Sequence, residues 1–327
     1  MSQLNLVLPG IIWPEIGDYE YLIKQLDIPN LSKLCTRATL KQEIHCHSYG
    51  DFVYGDYDYS IGSLAQSYAH KLNVYTEFSS FLMVEPTHLR ADRDRLLIAE
   101  AELLQLNTEE AEIIINAINQ HFSDELKLYL LEDDLWLLGT DLYLDDLVSY
   151  PIIDIVGENI DDFLPQGKSR LALHKILNEI QMLLFNLPIN QQRQNDGLMQ
   201  VNSVWFWNKQ KPNLNVAGQR MISNSQQIDK QFNEITQNTT SLTTLVIPTG
   251  YFAARYRDSF AWVQQINQFE QEIVQKLIIL LSSHKVKQIN ILIPGISNSW
   301  CLSVRSFDLW KFWRKKSWLE LMESLQR

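Results

Sequence analysis

Two imidazoles stand two residues apart at His45 and His47, with Cys46 between them and Asp51, Asp56 and Asp58 close behind. On a strand this spacing puts both rings on one face, a workable geometry for metal ligands. The plainer expectation is a surface strand leading into a polar loop, with no metal and no cofactor held. Asn190 and Arg193 in LPINQQR, followed by Asn202 and Trp205 in VNSVWFW, make a second constellation. A planar guanidinium fork suits a phosphate or carboxylate, so Asn190, Arg193 and Asn202 are the expected anion-binding residues. The competing expectation is a helix C-terminus whose side chains cap carbonyls before a buried strand. Ser48, Ser60 and Ser63 are hydroxyls available as nucleophiles, and no surrounding motif selects one. Glu132, Asp133, Asp134, Asp141, Asp145 and Asp146 lack the ligand spacing of a calcium loop and read as solvated hairpin and helix ends. In the tail, Arg305, Lys311, Arg314, Lys315 and Lys316 interleave with Trp310, Phe312, Trp313 and Trp318. Trp and Arg are common interface anchors, which makes residues 305–318 a candidate docking segment for a protein partner; the plainer expectation is an edge strand turning into a surface helix.

These residues need elements to position them. Residues 4–8 (LNLVL) form an apolar run ended by Pro9-Gly10, the pattern of a fully buried strand feeding a turn. TTLVIPTGY and INILIPG repeat that pattern later, and VNSVWFW is a further strand. Leu31 and Leu34 lie on a helix that Pro29 can open from its first turn. Thr108-Glu109-Glu110 ahead of Ala111, Ile114, Ile115, Ile118 and Phe122 makes a capped amphipathic helix. LKLYLL and LWLL are two strands joined by an acidic hairpin turn. Leu171 to Leu184 carries the strongest helical period, and residues 260–281 make an amphipathic helix of about six turns. Residues 41–64 have loop chemistry, and 208–241 is rich in Asn, Gln and Ser.

A chain of 327 residues is long enough for roughly two domains, or one large α/β core with an insertion. The expected division is a discontinuous core from 1–74 and 151–327, with a small α+β insertion at 75–150. With 28 Lys and Arg against 39 Asp and Glu the net charge is −11, a field that repels phosphate backbones and argues against nucleic acid as a partner. Cys35, Cys46 and Cys301 fall in no metal-closing spacing, which suits a reducing compartment. The opening residues lack a basic segment ahead of an apolar one, and no run approaches the roughly eighteen apolar residues of a membrane span. A cytoplasmic location with no membrane partner is expected.

The opening LNLVLPGIIWPE followed by IPNLSKLCTRAT resembles the start of the alkaline-phosphatase superfamily. There a strand runs into an Asp-Gly metal site and a "TPNLdrLa" helix follows. The stretch from Asp154 to Leu214 is similar to archaeal-type cofactor-independent phosphoglycerate mutases, in which "hDI.Gk", "LP.G", a helix and "N..R...G..pAN..WlWGqG..P.L" occur in that order. The whole chain resembles the bacterial RpfE-type regulatory proteins, which are mutase-like. The resemblance implies an α/β fold with a mixed or parallel sheet flanked by helices, and a small phosphorylated ligand.

The departures from the family pattern bear on function. Pro9 stands where the first-strand Asp belongs, and Pro294 and Gly295 stand where an Asp-His pair belongs. Ile153 replaces the His of "hDI.Gk", leaving Asp154, and TTLVIPTGYFAARYRDSF has only Asp258 against a "GHxGD" segment. Asn208 and Gln210 replace glycines that would let a ligand approach the backbone. Enzymes of this superfamily hold two divalent metals on Asp and His ligands, and prolines supply none. The resemblance therefore implies a catalytically degenerate protein with a regulatory or ligand-binding role. The rival is an active metal-dependent mutase or phosphatase holding Mn²⁺ or Mg²⁺ on His45, His47, Asp51 and Asp154.

Overall fold

The computed structural model describes residues 2–42, 47–55, 59–92, 95–99, 101–123, 125–211, 219–222, 243–296, 298–311, 313 and 317–326. Twelve strands run through them: β1 (Ser2–Val7), β2 (Thr39–Gln42), β3 (Ser80–Thr87), β4 (Leu89–Asp92), β5 (Arg95–Ile98), β6 (Leu126–Glu132), β7 (Leu135–Thr140), β8 (Ser203–Trp207), β9 (Gln219–Ile222), β10 (Thr243–Val246), β11 (Val286–Ile293) and β12 (Trp300–Arg305). The chain divides into two compact units, Met1–Asp56 with Asn213–Arg327, and Tyr57–Pro212.

The first unit is built on a six-stranded mixed sheet in the order β2-β12-β11-β1-β10-β9. β9, β10, β1 and β11 are parallel, and β12 and β2 close one side antiparallel. Leu4, Leu6, Leu245, Ile289, Ile291, Leu302 and Val304 turn one face into the core. Period-two alternation gives the other face Asn5, Thr244, Asn290 and Ser303 in register. There Asn290 Nδ2 donates to Asn5 Oδ1 at 2.9 Å, and Ser303 Oγ donates to Asn290 Oδ1 at 2.9 Å. The expected buried strand at residues 4–8 is present.

The long helix expected at 260–281 runs as Ser259–Phe269, a π-helical turn Glu270–Val274, and Gln275–Ser282. The π turn carries buried Glu270, whose carboxylate accepts the N–H groups of Asn30 and Leu31 at 2.9 and 2.8 Å. It caps the helix Pro29–Arg37, whose own N-cap residue, Ile28, has no side chain able to do so. The tail departs from expectation. β12 lies between β2 and β11 and so is not an edge strand, and the helix Trp318–Gln326 turns Trp318, Leu321, Met322 and Leu325 into the core while Glu320 stays exposed, so Trp318 is not available as a docking anchor.

The second unit is an antiparallel sheet in the order β6-β7-β3-β8, with β4 and β5 paired separately. The helices Thr108–Phe122 and Arg170–Phe185 cover one face, joining Ile114, Ile118, Leu173, Leu177, Ile180 and Leu184 to Leu82, Trp136, Leu138 and Phe206. This corrects the expected boundaries of 75–150. β8 pairs with β3 through Trp205 and Glu85, and the helix Arg170–Phe185 buries its apolar stripe on the same sheet, so the unit runs from 57 to 212. The mutase-resembling stretch thus lies almost wholly in this unit. Among the described residues, no helix is long and apolar enough to cross a membrane.

Candidate functional site

Three of the four parallel strands of the first unit, β1, β10 and β11, end in turns built on proline and glycine. β1 runs through Leu8 into Pro9-Gly10, β10 through Ile247 into Pro248-Thr249-Gly250, and β11 into Pro294-Gly295. Leu8 N–H donates to Leu292 carbonyl and Ile247 N–H to Val7 carbonyl, both at 2.9 Å, so the three ends stay side by side. In an open parallel sheet, ligands bind beyond these carboxyl ends. Here the backbones beyond β1 and β10 pack directly on each other. A Cβ on Gly10 would lie 2.1 Å from Tyr251 N and 2.4 Å from Thr249 O, and one on Gly250, at φ +74°, would lie 2.9 Å from Gly10 O. Trp262 Nε1 donates to Gly10 carbonyl at 2.8 Å and locks the contact. Asp258 accepts Ala261 N–H at 2.9 Å as the N-cap of Ser259–Phe269. A two-metal clamp does not fit these ends: the prolines offer no ligand, the glycines have no room for one, and Asp258 is spent on a helix.

A cavity of about 140 Å³ opens on the polar face of the same sheet, lined in part by Asn5, His47, Asn290, Ser299, Trp300 and Cys301. Ser299 Oγ accepts His47 N–H at 2.7 Å, and Gly295 N–H donates to His47 carbonyl at 2.9 Å. The His47 ring packs edge-on against Phe52, with centroids 6.0 Å apart. No lysine or arginine is among the described lining residues.

The alternative metal set is differently deployed from the sequence expectation. His45 lies outside the described residues, as do Cys46, Asp56 and Asp58. Asp51 accepts Ser48 N–H at 2.8 Å while Ser48 Oγ accepts Asp51 N–H at 3.2 Å, a reciprocal cap that starts the helix Tyr49–Tyr54 within the expected loop. Ser63 caps Leu64–Lys71 in the same way with Gln66, and also accepts Asn208 Nδ2 at 3.1 Å. Asp154 is buried in the second unit on the helix Ile152–Ile155, with Lys209 Nζ at 3.7 Å from Oδ2. Among the described residues, no three His, Cys, Asp or Glu side chains gather into a group able to hold a metal ion.

The expected anion-binding trio proves to be an internal clamp. Arg193 is 1% exposed; its Nε donates to Met199 carbonyl at 2.9 Å, Nη1 to Glu110 Oε2 at 2.6 Å, and Nη2 to Leu104 carbonyl. Asn190 donates to the carbonyls of Leu184 and Val201 at 2.8 Å and accepts Val201 N–H at 2.9 Å. Asn202 accepts Leu89 N–H at 2.7 Å and donates to Leu89 carbonyl at 2.9 Å. Every one of these groups is engaged by the protein itself, which corrects the expectation of an open anion cradle. Asn208 ties Ser63 and Phe81 carbonyl to the end of β8.

Sequence reasoning passed over Glu85. It sits on β3 beside Trp205, buried, accepting Ile152 N–H at 3.1 Å. Burial pushes its carboxyl up to about 8, Asp134 and Asp154 push the same way, and the Ile152 N–H opposes them. Its only signal in the sequence is one acidic residue inside the apolar run FLMVEPT.

No protein-family model matches the chain. Over 105 residues it is 30% identical to the 2,3-bisphosphoglycerate-independent phosphoglycerate mutase of Methanosarcina mazei, across 31% of this chain and 26% of that protein. The corresponding mutase of Methanothrix thermoacetophila is 37% identical over 62 residues, 19% of this chain and 16% of its own length. The matches thus span about a quarter or less of these relatives. Among solved structures, a Pyrococcus horikoshii protein superposes with a TM-score of 0.44 at 13% identity, over 93% of this chain and 87% of that one. The cofactor-independent phosphoglycerate mutase of Thermoplasma acidophilum gives 0.33 at 12% identity, over 93% and 89%. Distant relatives of this mixed α/β chain are therefore cofactor-independent phosphoglycerate mutases.

Proposed function

We propose that this is a mutase-like protein of alkaline-phosphatase type that has given up phosphoryl-transfer chemistry and acts in the cytoplasm as a ligand-responsive regulator of the RpfE kind. The observation carrying the reading is what stands at the ends of β1 and β11: Pro9 and Pro294 offer no ligand atom, and a Cβ on Gly295 would lie 2.3 Å from Asn298 O. Ester cleavage in such a fold calls for two divalent cations that neutralise phosphate charge and ionise a nucleophile. Prolines and a close-packed glycine at the ligand positions supply neither cation with a holder. The cavity beside Asn5, His47 and Ser299 is the pocket left for a ligand. Its described lining sets two amides, a hydroxyl, a thiol and one imidazole beside Phe52, Leu292, Ile293, Pro294 and Trp300, with no lysine or arginine, which favours a small, partly apolar molecule over a multiply charged phosphate ester.

The test is metal analysis of protein purified without chelator, combined with an assay of 2- and 3-phosphoglycerate interconversion under added Mn²⁺. Less than one divalent ion per chain and no turnover are expected, both in the native protein and in Pro9→Asp. Two bound ions per chain with turnover in the native protein would overturn the reading.

A further inference from the structure

β12 ends in the 3-10 turn Ser306–Trp310, at the end of the sheet remote from the proline-glycine turns of β1 and β11. The turn is tightly held. Asp308 accepts Arg305 N–H at 2.8 Å and pairs with Lys311, Arg305 Nε donates to Gln288 Oε1 at 2.9 Å, and Ser306 Oγ lies 3.3 Å from His284 Nδ1. On this fixed support three large aromatic side chains face solvent: Phe307 at 61%, Trp310 at 79% and Trp313 at 62%. Burying such rings is strongly favourable and their exposure needs a reason. The charges around them are basic. Lys285 and Lys287 are exposed at the start of β11, Arg305 is exposed at the end of β12, and Lys311 lies over the Phe307 ring at 4.2 Å. From 305 to 316 the sequence holds five basic residues against one acidic, in a chain of net charge −11.

We propose that this aromatic and basic end docks the protein on an anionic phospholipid surface, the rings entering the headgroup layer and the cations meeting lipid phosphates. Tryptophan with flanking lysine and arginine is the chemistry of the membrane interface. Charge decides the orientation: an anionic surface attracts this end and repels the acidic remainder, so contact runs through this end of the sheet. Single-stranded nucleic acid would use the same residue types, but there aromatic platforms line a charged groove. Rings exposed by three-fifths or more protrude instead. The proposal departs from the sequence expectation of a protein partner and no membrane, and it is independent of the cavity beside His47.

The experiment is co-sedimentation of the full chain with vesicles of phosphatidylcholine alone and of phosphatidylcholine mixed with phosphatidylglycerol. Binding to the mixed vesicles, a blue shift of tryptophan emission, and release at molar salt, where the Debye length is about 3 Å, are expected. W310A/W313A should weaken binding about tenfold or more. K285E/K287E, at exposed positions that leave the rings in place, should weaken it at least about fivefold per residue. Circular dichroism confirms that each variant is folded. No sedimentation with mixed vesicles at low salt, equal binding by native protein and both variants, or retention only by an acidic polypeptide or oligonucleotide would overturn the proposal.

Discussion

The strand ends of the first unit and the Asn190–Arg193–Asn202 junction of the second are both places where resemblance points to a site, and they have diverged in opposite ways. At the strand ends Pro9, Pro294 and Gly295 stand where the resemblance puts ligands, and the backbones of Gly10 and Gly250 meet. At the junction the resembling residues are present, and the Arg193 fork bonds Glu110, Leu104 and Met199. The difference shows that a motif whose side chains hold the fold has a reason to stay that is independent of any chemistry. A buried guanidinium with internal partners cannot be given up cheaply, whereas a surface ligand residue can.

The comparison can be broken most forcefully at Arg193. Replacing it with Ala strips Glu110 and two carbonyls of their partner, and denaturant unfolding should show a loss of about 3–5 kcal/mol. A stable Arg193→Ala protein that had lost a phosphoglycerate-induced rise in Tm would restore the anion-binding reading. A smaller effect is expected where Gly10 meets Gly250: Gly10→Ala forces the Thr249–Tyr251 turn apart and should cost about 2–3 kcal/mol by the same measurement. If that substitution is neutral, the turn yields and the contact is not close-packed. The effect at Glu85 is spread over pH. Its carboxyl stays protonated in the folded protein up to about 8, while in the unfolded chain it ionises near 4.5, so the unfolded state alone releases a proton between those values. Stability contributed by the buried neutral acid is therefore full below about 4.5 and lost as pH rises toward 8, by up to about 1.4 kcal/mol per pH unit. Urea midpoints across that window should fall with pH in the native protein and flatten in Glu85→Gln; a native profile that is flat or rises would remove Glu85 as a buried neutral acid.

Much of the scaffold was legible. The run LNLVL ended by Pro9-Gly10 reads as a buried strand because apolar residues without helical period have little else to form, and β1 is that strand. The helices at Thr108–Phe122 and Arg170–Phe185 announce themselves through their apolar period. The unit boundary was not legible, because pairing of β8 with β3 joins residues more than a hundred positions apart and leaves no local mark. The cap pairs Ser48 with Asp51 and Ser63 with Gln66 were written in the sequence, but glycines and aromatics around them read as loop. For Arg193 the residue type could be read and its partners could not: Glu110 lies 83 positions away, on a helix whose start it also caps. The closing of the strand ends was half visible, since prolines show the missing ligands while the Gly10 contact with Gly250 depends on packing.

The π-helical turn at Glu270–Val274 holds one residue more than an α-helical turn would need. Deleting one residue there would restore regular winding and leave the flanking helices close to their present faces, so Leu277, Leu280 and Leu281 would stay on the core. The loss would fall on the carboxylate now seated on Asn30 and Leu31. The wide turn therefore concerns the neighbouring helix more than its own: it presents Glu270 to the open N-terminus of Pro29–Arg37.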